Sequence, residues 1–165
     1  MNYSLFTVDW DWLTSHKDAN SRVEAFYRKP KDRVELTDFA LASSSMWMEL
    51  SEILAYVAAH RLKKSEQLIH AGLLCLMSFE KGPKDDLGLT KVRDSQIFLS
   101  LSPASVADAV RACSTLDFRA LEKAFTDEDL EVDSEPEELE SYLEGVVMAL
   151  NQANAKKRGI VGHWG

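Results

Sequence analysis

A chain of 165 residues, 45% apolar and 28% charged, has the profile of one soluble globular domain and the length to bury a real core. Its four Trp and seven Phe argue against disorder, because disordered chains are poor in aromatics. The net charge of −8 is concentrated: ten acids and no Lys or Arg fall between Asp127 and Glu144, leaving 17 acids against 19 bases elsewhere. With no basic stripe to neutralise phosphates, nucleic acid is a poor partner for such a chain.

In chain order, Tyr3 to Val8 is rich in β-formers and predicts a strand. A short helix follows over Trp10 to His16, then a second over Asp18 to Tyr27, and K-P-K-D around Pro30 is a loop. Thr37 or Asp38 caps a long helix to about Arg61, with Met46, Leu50, Ile53, Leu54 and Val57 on one face. Ser65 to Phe79 is a further helix, apolar nearly all round and therefore central. Its apolar run, Leu68 to Phe79, contains His70 and is too short for a membrane span of roughly 20 residues.

The segment E-K-G-P-K-D-D-L-G reads as an exposed loop, and Gln96 to Leu101 as a strand. Ser102 suits an N-cap with Pro103 at the first helical position, and Val106, Val110 and Cys113 then line one face. Asp117 caps a brief helix burying Phe118, Leu121 and Phe125. Ser134 with Glu137 forms a capping box before the face of Leu139, Tyr142, Leu143, Val146, Leu150 and Ala153. Lys156, Lys157 and Arg158 complement the negative end of that helix, and Gly159 suits its C′ position. The tail I-V-G-H-W-G is a closing strand. These elements predict a single α+β domain over residues 1–165. It is mostly helical, with a small sheet of N-terminal, middle and C-terminal strands.

The opening M-N-Y-S-L-F-T-V-D predicts no secretory leader. Cys75 and Cys113 lie in apolar helical contexts without paired spacing, so both are read as reduced, buried thiols of a cytoplasmic protein. No membrane association is expected.

The stretch V-D-W-D-W-L at 8–13 raises the question of chemistry. On a strand, Asp9 and Asp11 would share a face at roughly 7 Å, within the span of about 6.5–9.5 Å that inverting glycosidases use, with Trp12 as a sugar platform. The competing reading is preferred: Asp9 ends a strand as an N-cap, and Asp11 meets the helix dipole in the first turn. No catalytic residue is assigned.

Starting at Asp127, acids fall at loop positions 1, 3, 5, 7, 9 and 12, as in a calcium loop. Val132 stands where such a loop requires Gly, and Pro136 belongs to the next helix start. The segment is therefore read as a solvated acidic loop and helix N-terminus, and the functional alternative is that Asp127, Glu128, Asp129, Glu131, Asp133 and Glu135 form a docking face for a basic protein partner. His60 and His70 have no metal-ligand spacing, and no metal or cofactor is expected. The triple Ser at 43–45 lacks a nucleophile-elbow context. Trp10, Trp12, His163 and Trp164 are the candidates for a small-molecule pocket.

From Leu87 onward the order of motifs is distinctive. A loop ending D-D-L-G leads to a strand, then L-S-P opens a helix, then come L-D-F-R-A-L-E-K-A-F and D-E-D-L-E. This resembles the YfbM-like family, a bacterial domain of unknown function, across Leu101 to Val106, Leu116 to Thr126, Glu137 to Lys157 and Gly159 to Trp164. The N-terminal strand with its capped acidic turn also looks like that family's opening. The resemblance implies a mixed fold and carries over no catalytic residues. The functional expectation is a non-enzymatic interaction domain of the bacterial cytoplasm, in its sharpest form an antidote or immunity-type inhibitor of a basic partner. A hydrolase or sugar-active enzyme at Asp9 and Asp11, and a small-molecule binding module, are the alternatives.

Overall fold

The computed structural model describes residues 3–41, 85–114 and 136–165. The first block holds β1 (Tyr3–Val8), α1 (Trp10–Thr14), α2 (Ala19–Tyr27) and β2 (Val34–Leu41). The second holds a 3-10 turn (Leu89–Lys91), β3 (Ile97–Leu101) and α3 (Pro103–Cys113), and the third α4 (Pro136–Ala155) and β4 (Gly159–Trp164). The stretch beyond Leu41 of the helix predicted to reach Arg61, the predicted Ser65–Phe79 helix with Cys75, the Asp117 helix, Ser134 and the acidic face from Asp127 to Glu135 lie outside the described residues.

The strands form one antiparallel sheet in the order β2-β1-β4-β3. The closing strand of the sequence thus occupies the interior, pairing Val161 with Phe6 on one side and Ile160 with Leu101 on the other. Both faces are covered, which is why Gly159 to Gly162 is buried without interruption. Both glycines are there for close approach. A Cβ on Gly159 would stand 2.7 Å from the Leu101 carbonyl oxygen and 2.7 Å from Cζ3 of Trp10, and one on Gly162 would stand 2.6 Å from the Phe98 ring.

Alternation along the strands divides the core between two faces. Phe6, Val8, Val34, Ile97 and Val161 turn toward α1, α2 and the 3-10 turn, which supply Leu13, Val23, Phe26 and Leu89. Phe6 meets Phe26 edge-on at 5.4 Å. On the other face Leu5, Leu99, Leu101 and Ile160 are buried, and α3 and α4 pack there against the strands and one another. Val106, Ala109, Val146, Ala149, Leu150 and Ala153 are buried on these helices, together with Cys113. Each such Leu, Val or Phe stabilises by roughly 1.5–3 kcal/mol when fully buried, so the sheet is the organising element.

The fold is α+β, as expected, but helix accounts for 46% of the described residues. The sheet is larger than predicted by one strand. Thr37 and Asp38 do not cap a helix: V-E-L-T-D-F-A-L is β2, paired with β1. Val34 and Thr37 are buried while Leu36 is 56% exposed, and the Thr37 hydroxyl donates to the Leu5 carbonyl at 2.8 Å across the strand pair.

The other punctuation is mostly local. Asp18 and Ser21 make a reciprocal capping box at α2. Ser102 accepts from the Ser105 N–H at 3.1 Å with Pro103 in the first turn of α3. At the end of α4 the left-handed residue is Lys157, φ +52, not Gly159. The Lys157 N–H donates to the Asn154 carbonyl and the Arg158 N–H to the Ala153 carbonyl, which is a Schellman closure. Gly159 already belongs to β4, under Trp10.

Candidate functional site

Three groups of side chains offer polar or aromatic chemistry, and the first is the V-D-W-D-W-L stretch. Asp9 follows β1 directly, in extended backbone, and its Oδ1 accepts from the Trp12 N–H at 3.0 Å. Its Oδ2 accepts from the Arg33 guanidinium, and its own N–H donates to the Arg33 carbonyl at 2.8 Å. The Trp12 N–H does most to hold the Asp9 carboxyl below its ordinary range, against some desolvation, helped by Arg33 and the more distant Arg158. Asp11 is exposed in the first turn of α1. Asp9 is thus committed to a cap and an ion pair, and the two carboxylates share no enclosed floor.

The tryptophans of this stretch are half-buried and pack against the core cluster. Trp10 covers Gly159. Trp12 meets the His16 ring edge-on at 5.2 Å, and His16 Nδ1 lies 3.0 Å from the Trp12 carbonyl.

The second group surrounds His163. Its ring centroid lies 5.6 Å from Tyr27, 6.2 Å from Phe26 and 6.4 Å from Phe6. The Lys29 ammonium sits 4.5 Å from the centroid of the Phe6 ring. Burial first, and then the Lys29 charge, push the His163 imidazole below its ordinary value. Tyr27, 40% exposed, accepts from the Gln96 N–H at 3.0 Å through its hydroxyl.

This arrangement divides the four candidate pocket residues. Trp10 lies at the Gly159 end of β4 and His163 at the other end, opposite Ser4. Four residues of strand separate them, roughly 13 Å at about 3.3 Å each. Trp164 follows His163 and so points to the opposite face of the sheet, where it is 38% exposed.

The third group was not anticipated. Asp85 and Asp86, in the segment read as an exposed loop, bind the 3-10 turn and α3 to the sheet. The Asp85 carboxylate accepts from the Leu89 N–H at 3.0 Å, the Thr90 N–H at 2.9 Å, the Thr90 hydroxyl at 2.7 Å and the Ser100 hydroxyl. Burial alone would raise its pKa, but the donated hydrogen bonds of Ser100, Thr90 and Leu89 outweigh it and the pKa is lowered. Asp86 Oδ2 accepts from the Ser102 N–H at 2.7 Å and the Ser105 hydroxyl at 2.8 Å. The only sequence signal was two adjacent acids before Leu-Gly-Leu-Thr, a pattern suited to capping a tight turn.

Among the described residues no group of three or more His, Cys, Asp or Glu is placed to hold a metal ion. No described helix is long and apolar enough to cross a membrane. No family model matches the chain, and no curated protein or solved structure does either.

Proposed function

We propose that this chain is a non-enzymatic interaction domain of the bacterial cytoplasm. It would hold a basic protein partner through Asp127, Glu128, Asp129, Glu131, Asp133 and Glu135, and its sharpest form is an antidote or immunity-type inhibitor. The observation that supports it most is the condition of Asp9. Both of its oxygens accept hydrogen bonds from the protein's own groups, and its pKa is lowered. A general acid needs the opposite shift, and a base or nucleophile needs a lone pair turned to its substrate. Both oxygens of Asp85 likewise accept from the protein's own groups and its pKa is lowered, and Asp86 Oδ2 accepts from the Ser102 N–H and the Ser105 hydroxyl.

The remaining surplus of charge is the run of ten acids between Asp127 and Glu144. A patch of one sign accelerates encounter with a partner of the other and suppresses wrong partners. The resemblance to the YfbM-like family agrees with this reading in bringing no catalytic residue to any position.

Affinity capture from a bacterial extract tests it, comparing the native chain with a variant in which the six acids are Asn or Gln. A basic protein whose recovery falls as salt is raised, and which the variant does not retain, supports the proposal. Equal recovery by the variant, or partners that are only acidic or neutral, overturns it. A hydrolytic turnover abolished by Asp9→Asn with Asp11→Asn, in a chain still folded, would favour the enzymatic alternative.

A further inference from the structure

We draw no further inference here: the strongest candidate, the side-chain cluster at the end of β4 where His163 is ringed by Phe6, Phe26 and Tyr27 with Lys29 over Phe6, rests on the titration of one half-buried imidazole, and nothing in the structure shows what covers its exposed edge.

Discussion

Arg33 reaches back 24 residues to hold Asp9 on two sides, its carbonyl accepting from the Asp9 N–H and its guanidinium donating to Oδ2. The first contact registers the start of β2 beside the end of β1, and the second neutralises the carboxylate that begins α1. One residue therefore joins strand pairing to helix initiation. Asp9→Ala removes the cap and is expected to cost about 0.5–2 kcal/mol, the usual range for a lost N-cap. Arg33→Ala, which removes a guanidinium 44% exposed, costs less because solvent screens the pair. Urea unfolding of the two variants measures this. An unchanged midpoint for Asp9→Ala would contradict the capping assignment.

The two glycines of β4 make a graded prediction. Gly159→Ala drives a methyl into a backbone carbonyl and the Trp10 ring, whereas Gly162→Ala meets chiefly the Phe98 side chain. Backbone cannot turn aside as a ring can. Both variants are expected to lose about 1–3 kcal/mol, the range for overpacking a core, with Gly159→Ala the worse. Thermal melts of the two proteins decide the order, and equal or raised melting temperatures would refute the packing.

How much of this was legible in the sequence follows from the reach of each interaction. Asp9, Asp18 and Ser102 act on N–H groups three residues away, so their neighbours in the chain reveal them. Thr37 carries the same chemical signature as a cap, yet its hydroxyl serves Leu5, 32 residues distant. Local preference could not anticipate that strand pair. Gly159 looked like a helix terminator because glycine favours that position, but Lys157 accepts the left-handed conformation and frees Gly159 to lie beneath Trp10. The Asp85 knot was hidden because Ser100, one of its donors, is 15 residues away. The proposed acidic face, by contrast, rests on composition alone.

Asp85 is expected to be the most costly carboxylate to remove among those described. Asp85→Ala would leave two backbone N–H groups and two hydroxyls without their acceptor, and a buried donor left unsatisfied costs about 1–3 kcal/mol. A loss of about 2–3 kcal/mol in denaturant unfolding is expected, against almost none for the exposed Asp11→Ala. Because its folded pKa is depressed from 3.8, the Asp85 contribution is present above that value and disappears as pH falls through the folded pKa. Acid unfolding of Asp85→Asn should therefore be flatter below about pH 4 than that of the native protein. Superimposable acid curves would remove the assignment.

Thr7 presents the opposite case. Its side chain is fully buried on the α3–α4 face, and among the described residues its Oγ1 is a buried polar atom without a hydrogen-bond partner. Valine has nearly the same shape and no hydroxyl to desolvate. Thr7→Val is expected to leave the fold intact and raise stability by up to about 1 kcal/mol, since an unsatisfied buried polar group is unfavourable. A destabilised variant would mean that the hydroxyl has a partner.

His163 predicts a pH dependence of known sign. Its folded pKa lies below the ordinary 6.5, through burial and then Lys29, so near pH 6 the unfolded chain binds more protons than the folded one. Stability therefore rises with pH across that window. Its contribution is complete above about pH 6.5 and declines on acidification until the folded pKa is reached. The ring is half-buried, so the slope is modest. His163→Phe keeps an aromatic ring among Phe6, Phe26 and Tyr27 while removing the proton site, and should abolish that part of the slope without lowering stability at pH 7.5. Urea midpoints of the two proteins from pH 5 to pH 7.5 make the comparison, together with the histidine ring shifts in a proton NMR titration. A His163 resonance titrating above pH 6.5 would show that the imidazole is held in its charged form instead, and equal slopes for the two proteins would show that folding leaves its proton affinity unchanged.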